Sequence, residues 1–192
     1  MERLETSKFR LELIQESHLQ ELKKYALEKP LWKFSTVEIH TEKDFEEYFN
    51  QALNLTQNTS QRAFVVYDIV NEKYIGMTRL YGFDKKNKST KLGFTWYATE
   101  AQGKGVNPHS KYLILKYAFE NLNIERIELN ADLRNERSIA AMKKLGATQE
   151  GILRKSLYLP DGHKRDTIIF SILNEDWENN IKSLLLNKIS EN

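Results

Sequence analysis

The chain has 192 residues, of which 40% are hydrophobic and 29% charged, enough for one globular domain with a substantial core. It contains no cysteine, which excludes disulfides, thiolate metal sites and a cysteine nucleophile. The formal net charge is only +2 and the basic residues are interleaved with acids, so we expect no nucleic-acid partner. No apolar run approaches the roughly 20 residues of a membrane span, and the charged start lacks an apolar signal segment. These features favour a cytoplasmic protein without a membrane partner.

The first part of the chain predicts one strand and two helices. Apolar residues alternate with polar ones over 9–13, which is the period of a half-buried strand. Apolar residues at helical spacing predict a helix over Glu16–Glu28, and Pro30 ends it. Thr41 followed by Asp44 resembles a capping box and opens the second helix.

Three consecutive strands follow, rich in aromatic and β-branched residues: Ala63–Ile69, Tyr74–Leu80 and Leu92–Tyr97. Asn71-Glu72-Lys73 has the length and composition of a hairpin connection between the first two. The lysine-rich segment Asp84–Lys91 is typical of a solvated hairpin loop.

The rest of the chain predicts three helices and three strands. The predicted elements are a helix at Pro108–Asn121, a strand at Arg126–Asn130, a helix at Asn135–Leu145, strands at Gly151–Leu159 and Arg165–Leu173, and a final helix at Asp176–Lys188. No linker rich in Gly, Ser or Pro divides them. We therefore predict a single mixed α/β domain over residues 1–192, with a C-terminal helix from about residue 176.

A turn with two glycines joins the third of the consecutive strands to the helix after it. Gly103 and Gly105 let the backbone bend sharply and approach a ligand closely. Asn107 is a good N-cap, and Pro108 suits the first helical position. The free N–H groups and the helix dipole then form a site for phosphate or pyrophosphate, although a plain tight connection explains the glycines equally well. The common phosphate-loop and dinucleotide patterns are absent.

The segment Gln102-Gly103-Lys104-Gly105-Val106-Asn107 resembles the signature Q/R-x-x-G-x-G/A of the GNAT N-acetyltransferases, which also lies between a strand and a long helix. Asn107 departs from its last position, and Asn followed by Pro resembles the ribosomal-protein-alanine acetyltransferase branch of that family. Further elements of the branch follow in order: Asn135-Glu136-Arg137-Ser138, Lys144-Leu145-Gly146-Ala147, Glu150-Gly151-Ile152-Leu153-Arg154, Asp161-Gly162, Arg165-Asp166 and Trp177. The resemblance runs from about Phe9 to Trp177.

The resemblance implies a mixed, mostly antiparallel sheet of about seven strands flanked by helices, with acetyl-CoA as acyl donor and no metal. A central strand would splay from its neighbour, and the backbone of Phe94, Thr95 and Trp96 would bind the pantetheine arm as an added strand does. The pyrophosphate would lie on the turn formed by Gln102, Gly103, Lys104, Gly105, Val106 and Asn107. Asn130 and Asn135 would face the donor from the other side, where Asn135 can also be an N-cap.

The implied reaction is attack of a neutral amine on a thioester. Ser138 shares a helix face with Asn135 and would donate a hydrogen bond to the departing thiol, so it is both the catalytic and a donor-binding prediction. Met142 stands where many members of the family carry an acidic tyrosine, and a thioether cannot donate a proton. Without a cysteine, direct transfer in a ternary complex is the economical route.

No general base is assigned, and Glu150 and His163 are considered only because the last strands usually border the acceptor pocket. His109, in the first turn of the helix, is expected to contact phosphate or solvent. No spacing indicates a metal site.

The acceptor is the open question. The branch favours the N-terminal α-amine of a protein, whereas a polyamine, antibiotic or amino acid is the alternative within the same enzyme class. A CoA-binding sensor without turnover is a further alternative. Trp32 and Tyr158 are expected to border the acceptor entrance from opposite walls. A monomer and a homodimer are both compatible with the sequence.

Overall fold

A computed structural model describes residues 4–190 and contains one sheet with flanking helices. The predicted domain of residues 1–192 extends outside the described residues at both ends. The strands are β1 Leu4–Glu5, β2 Phe9–Leu13, β3 Gln61–Asp68, β4 Lys73–Asp84, β5 Ser89–Tyr97, β6 Arg126–Asp132, β7 Thr148–Tyr158 and β8 Lys164–Leu173. The helices are α1 His18–Lys23, α2 Glu42–Gln57, α3 Val106–Lys116, α4 Glu136–Leu145, α5 Asn174–Asp176 and α6 Lys182–Ser190, with π-helical turns at Tyr117–Asn121 and Trp177–Ile181.

The sheet has the order β1-β2-β3-β4-β5-β6-β8-β7. Every neighbouring pair is antiparallel except β5 and β6, which are parallel. The predicted mixed and mostly antiparallel sheet is therefore confirmed. It has eight strands within the described range rather than about seven, because the two-residue strand β1 pairs with β2.

The two faces of the sheet are packed by different helices. On β4, the Arg79 guanidinium lies 4.2 Å from the ring centroid of Tyr48 on α2. The neighbouring Thr78 is linked through Thr95 to Lys111 on α3. Because successive strand residues point to opposite faces, α2 and α3 cover opposite sides of the sheet.

Local signals explain most element ends. The Thr41 hydroxyl accepts a hydrogen bond from the Asp44 N–H over 3.2 Å, and the Asp44 carboxylate accepts one from the Thr41 N–H over 2.7 Å, so the predicted capping box is confirmed. The first helix is shorter than the predicted Glu16–Glu28. After Lys23 the chain continues in single turns, where the N–H of Tyr25 reaches the carbonyl of Leu22.

The parallel strands β5 and β6 pair over a short stretch and then diverge. Their register is Ser89 with Arg126, Thr90 with Ile127 and Lys91 with Glu128, after which β5 runs to Tyr97 and β6 to Asp132 without pairing with each other. The three paired residues of β5 lie in the segment that was predicted to be a hairpin loop, because the turn after β4 ends at Lys88. The divergence opens a cleft between the carboxyl ends of the two strands.

A bulge in β5 lies beside this divergence. Gly93 pairs with Arg79 and Trp96 pairs with Met77, so β5 holds one more residue than β4 across this interval. Phe94, inside the bulge, has a φ of 50°, which a non-glycine residue rarely adopts. Bulges bend a strand and increase its twist, and this one lies in the stretch of β5 that no longer pairs with β6. Among residues 4–190, no helix is both long and apolar enough to cross a membrane.

Candidate functional site

The cleft between the diverging strands has a volume of about 1100 Å³. The ends of β5 and β6 form its inner walls, and the turn before α3, the start of α4 and the segment after α1 complete it. Most of the predicted site residues line it: Trp32, Phe94, Thr95, Trp96, Gln102, Gly103, Gly105, Val106, Asn107, Asn130, Asn135 and Ser138. Of the predicted turn residues, the exposed Lys104 is absent from the lining.

The β5 wall presents backbone to the cleft because β6 no longer pairs with it beyond Lys91. The side chains of this wall are used elsewhere. Trp96 is buried against Trp32 and Phe45, with ring centroids 5.7 and 6.0 Å apart. The Phe94 ring packs edge-on against Tyr81 at 5.0 Å. Both aromatic side chains therefore serve packing, and the backbone of this wall is open to the cleft.

The turn before α3 has the geometry that its glycines predict, but the helix starts earlier than expected. Gly103 and Gly105 have φ values of 79° and 82°, and Gly105 is the N-cap of a helix that begins at Val106. The prediction that Asn107 is the N-cap and Pro108 the first helical residue is therefore wrong. The left-handed conformation of Gly105 lets the helix begin at Val106. Pro108 then lies within the first turn, where a residue makes no intrahelical N–H bond, so its missing N–H has no cost.

Asn107 instead ties the turn to β5, because its side-chain oxygen accepts a hydrogen bond from the Tyr97 hydroxyl over 3.2 Å. The turn is fixed further by Gln102, which donates to the Tyr97 carbonyl over 2.9 Å and accepts from Arg137 on α4 over 2.7 Å. The N-terminus of α3 carries no acidic residue in its first turn. It thus offers free N–H groups and a favourable dipole for an anion at the mouth of the cleft.

The α4 wall carries the predicted serine. Asn135 caps α4, since its side-chain oxygen accepts a hydrogen bond from the Ser138 N–H over 3.1 Å. Ser138 and Met142 both lie on the face of α4 that borders the cleft, and Met142 is buried as core packing requires. The predicted N-cap role of Asn135 is confirmed.

The end of β6 carries two sets of charged contacts, one at Asn130 and one at Asp132. Arg165 on β8 is only 4% exposed and donates to the Asn130 side-chain oxygen over 3.2 Å. Burial lowers the pKa of the Arg165 guanidinium. Asp132 accepts hydrogen bonds from the Arg134 guanidinium at 2.8 and 3.0 Å, which hold the pKa of its carboxyl below the ordinary value. This carboxylate therefore stays ionised, and the Arg134 guanidinium balances its charge.

Lys111 on α3 is a cleft residue that sequence reasoning missed. It is 8% exposed, and its ammonium donates to the Thr95 hydroxyl over 3.0 Å. Burial lowers its pKa to about 8. Its spacing held the signal, because residue 111 is one turn beyond Asn107 and one turn before the buried Leu115 on the same helix face.

Trp32 lies where the acceptor wall was expected. Its indole N–H donates to the Ala26 carbonyl over 2.7 Å, and its ring packs against Tyr48 and Trp96 while still lining the cleft. Tyr158 is not brought to the cleft. It is 67% exposed on β7, with the Lys164 ammonium 5.0 Å from its ring centroid.

The two residues considered as general bases near the acceptor also lie outside the cleft lining. Glu150 and His163 are absent from the cleft lining, and the Arg126 guanidinium, 2.6 Å from Glu150, lowers the pKa of that carboxyl to about 2. The expectation that His109 contacts phosphate or solvent is wrong. Its ring is buried against Phe9 and lies 2.8 Å from the Thr6 hydroxyl. Within residues 4–190, no three His, Asp or Glu side chains are arranged to hold a metal ion.

Comparisons with known proteins agree with this architecture. The *Bacillus subtilis* (strain 168) protein named "Putative ribosomal N-acetyltransferase YdaF" is 34% identical over 103 residues, which cover 54% of this chain and 55% of that protein. The match thus spans little more than half of that relative. Spermidine N(1)-acetyltransferase of *Escherichia coli* (strain K12) is 27% identical over 69% of this chain and 73% of its own length.

A solved GCN5-related N-acetyltransferase from *Brucella melitensis* superimposes with a TM-score of 0.88 over all of this chain and 87% of that one, at 22% identity. This likeness shows the fold. The sequence profile of the acetyltransferase (GNAT) domain matches residues 8–148, most of the chain. The chain therefore belongs to the acetyltransferase (GNAT) domain family.

Proposed function

We propose that this protein transfers an acetyl group from acetyl-CoA to a primary amine, by direct attack within a ternary complex. The observation that carries this proposal is the cleft itself, where β5 presents unpaired backbone beside the N-terminus of α3. A long, flexible donor with a charged end and a neutral arm suits such a site. Its anionic part matches the helix N-terminus, and its amide-bearing arm matches the strand edge.

The donor fits the residues around the turn. A Cβ placed on Gly103 would meet no atom within 4 Å, so the space beside this backbone is open. We propose that the pyrophosphate contacts the turn from Gln102 to Asn107, and that the arm runs along Phe94, Thr95 and Trp96. Asn130, Asn135 and Ser138 face the arm from the β6 and α4 side.

The chemistry asks for a neutral amine and for stabilisation of the leaving thiolate. Ser138 is the proposed hydrogen-bond donor to the thiolate, since its neighbour Met142 has no proton to donate. Within residues 4–190, Asp132 is the only carboxylate that lines the cleft, and Arg134 engages it. We therefore propose that the acceptor amine loses its proton to solvent before it attacks. An α-amine, with a pKa near 8, does so more readily than a lysine-like amine.

The charges of the cleft bear on the acceptor. Within residues 4–190, the charged side chains of the lining are Asp132, which is paired with Arg134, and four cations: Lys33, Lys111, Arg137 and Arg165. Such a lining repels a polyamine and accepts a peptide end, whose carbonyl oxygens are hydrogen-bond acceptors. We therefore favour a protein N-terminal α-amine, in line with the ribosomal relative. A small-molecule amine, such as the spermidine named for the other relative, is the second candidate.

Release of CoA thiol tests the proposal directly. The purified protein is incubated with acetyl-CoA and a panel of peptides with free N-termini, amino acids and spermidine. We expect thiol release with peptides, and mass spectrometry should place the acetyl group on the α-amine. Binding of acetyl-CoA without release across the panel would identify a CoA-binding sensor instead.

A further inference from the structure

Lys111 carries a positive charge that the protein itself hardly compensates. Its side chain lies inside the molecule, yet among residues 4–190 the hydrogen-bond partner of its ammonium is a single neutral hydroxyl, Thr95 Oγ1 at 3.0 Å. That hydroxyl is also engaged with the fully buried Thr78, whose Oγ1 lies 2.8 Å away. An ammonium has three N–H donors, so two remain for another partner. Burial of a charge is costly unless such partners are supplied.

The open side of Lys111 faces the cleft, which it lines together with Thr95. It is the sixth residue of α3, so it lies roughly 7.5 Å along the helix axis from Val106, at 1.5 Å per residue. The hydrogen bond to Thr95 places its ammonium level with the unpaired β5 wall, where the neutral arm of the donor is proposed to run.

We propose that the Lys111 ammonium binds a carbonyl oxygen of the acyl-pantetheine arm in this cleft. The inference rests on the proposed function, because it takes acetyl-CoA as the occupant. A carbonyl oxygen fits better than an anion, since the donor's phosphates belong at the helix N-terminus. The bond would supply the partner that the buried ammonium lacks and would hold the arm against β5.

The charged groups on the elements around Lys111 form contacts with residues other than Lys111. Burial is the sole cause of its pKa shift, and no ion pair to it occurs within the described residues. Ionisable groups on the surrounding elements make contacts of their own: His109 with Thr6, Glu12 with Arg10, Lys182 with Glu120, Asp132 with Arg134, Arg137 with Gln102, Arg165 with Asn130, Tyr97 with Asn107 and Lys33 with the Phe34 ring. A carbonyl partner favours the charged amine, so acetyl-CoA affinity should fall as pH rises through the Lys111 pKa near 8.

The test compares two ligands by isothermal titration calorimetry at pH 7. Acetyl-CoA has the pantetheine arm, whereas adenosine 3′,5′-bisphosphate has the nucleotide and two of the three phosphate groups without the arm. Lys111→Met should weaken acetyl-CoA binding by about tenfold, the size expected for one charge-assisted hydrogen bond, and leave the bisphosphate affinity unchanged. Lys111→Gln keeps an N–H donor and should lose less. Lys116→Met, on the same helix but outside the cleft lining, is the matched control and should bind both ligands normally.

The outcomes separate the two proposals. Acetyl-CoA binding by Lys111→Met as tight as by the unchanged protein would overturn the role of Lys111 and leave the proposed function intact. Equal weakening of both ligands would show that Lys111 only supports the fold, and would also overturn the inference. If the unchanged protein binds neither ligand, the proposed function itself is wrong. A pH series from 7 to 9 should lower acetyl-CoA affinity in the unchanged protein and have little effect in Lys111→Met.

Discussion

Asn135 Oδ1 accepts a hydrogen bond from the Ser138 N–H over 3.1 Å, so the residue that caps α4 also fixes the backbone of Ser138, the proposed hydrogen-bond donor to the leaving thiolate. The serine therefore sits on a rigid first turn and not on a loop. Such support matters because a hydrogen bond to a leaving group depends on placement.

Ser138→Ala should lower kcat and leave acetyl-CoA affinity nearly unchanged. Loss of a proton donor typically costs a factor of about 10² to 10⁴ in rate. Steady-state thiol release gives kcat, and calorimetry gives the affinity. Ser183→Ala, an exposed serine on α6, is the matched control. A fall in kcat well below tenfold would assign the role to water.

Gly105→Val should weaken acetyl-CoA binding, measured by calorimetry. At a φ of 82°, a β-branched side chain costs about 1–2 kcal/mol in backbone strain and adds bulk at the start of α3. Gly162→Val is the matched control for strain, because Gly162 has a φ of 80°, its added Cβ would meet no atom within 4 Å, and it lies outside the cleft lining. Lys104→Ala should have a small effect, since that side chain is exposed. Unchanged affinity in Gly105→Val would remove the pyrophosphate from this turn.

Lys111→Met should stabilise the ligand-free protein below pH 8. Burial lowers the Lys111 pKa from 10.5 to about 8. Below pH 8 the folded protein therefore carries a buried charge, which has a higher free energy than the same charge exposed to water in the unfolded chain. Between pH 8 and 10.5 the folded protein loses this proton first and the penalty fades. The advantage of the variant should therefore shrink by up to about 3 kcal/mol across that range.

Urea unfolding of both proteins at pH 7 and at pH 10 measures this difference, and groups that titrate alike in both proteins cancel. If the difference in free energy of unfolding between the two proteins stays constant with pH, folding does not lower the pKa of Lys111.

The sequence predicted the elements with strong local signals and missed those that depend on distant contacts. The capping box at Thr41 and the glycine turn before α3 are visible because a few adjacent residues determine them. The positive φ of Phe94 is not visible, since the pairing of β5 with β4 imposes that bulge on an ordinary aromatic residue. Likewise, Glu150 reads as a free acid until β6 brings Arg126 beside it.

We propose that Trp32, which lines the cleft and packs against Tyr48 and Trp96, contributes to selectivity for the acceptor. Trp32→Ala should raise the acceptor KM by about tenfold, as loss of a central tryptophan does at interfaces, and leave the KM for acetyl-CoA unchanged. Tyr158→Ala is the comparison, because its ring lies outside the cleft lining, and it should change the acceptor KM by less than about twofold. A thermal melt of each variant excludes unfolding as the cause.

Peptide arrays should show acetylation at free N-termini in preference to internal lysines, since the cationic lining and the loss of the amine proton to solvent both favour an α-amine. Turnover of spermidine much faster than of any peptide would contradict the protein acceptor and leave acetyl-CoA as the donor.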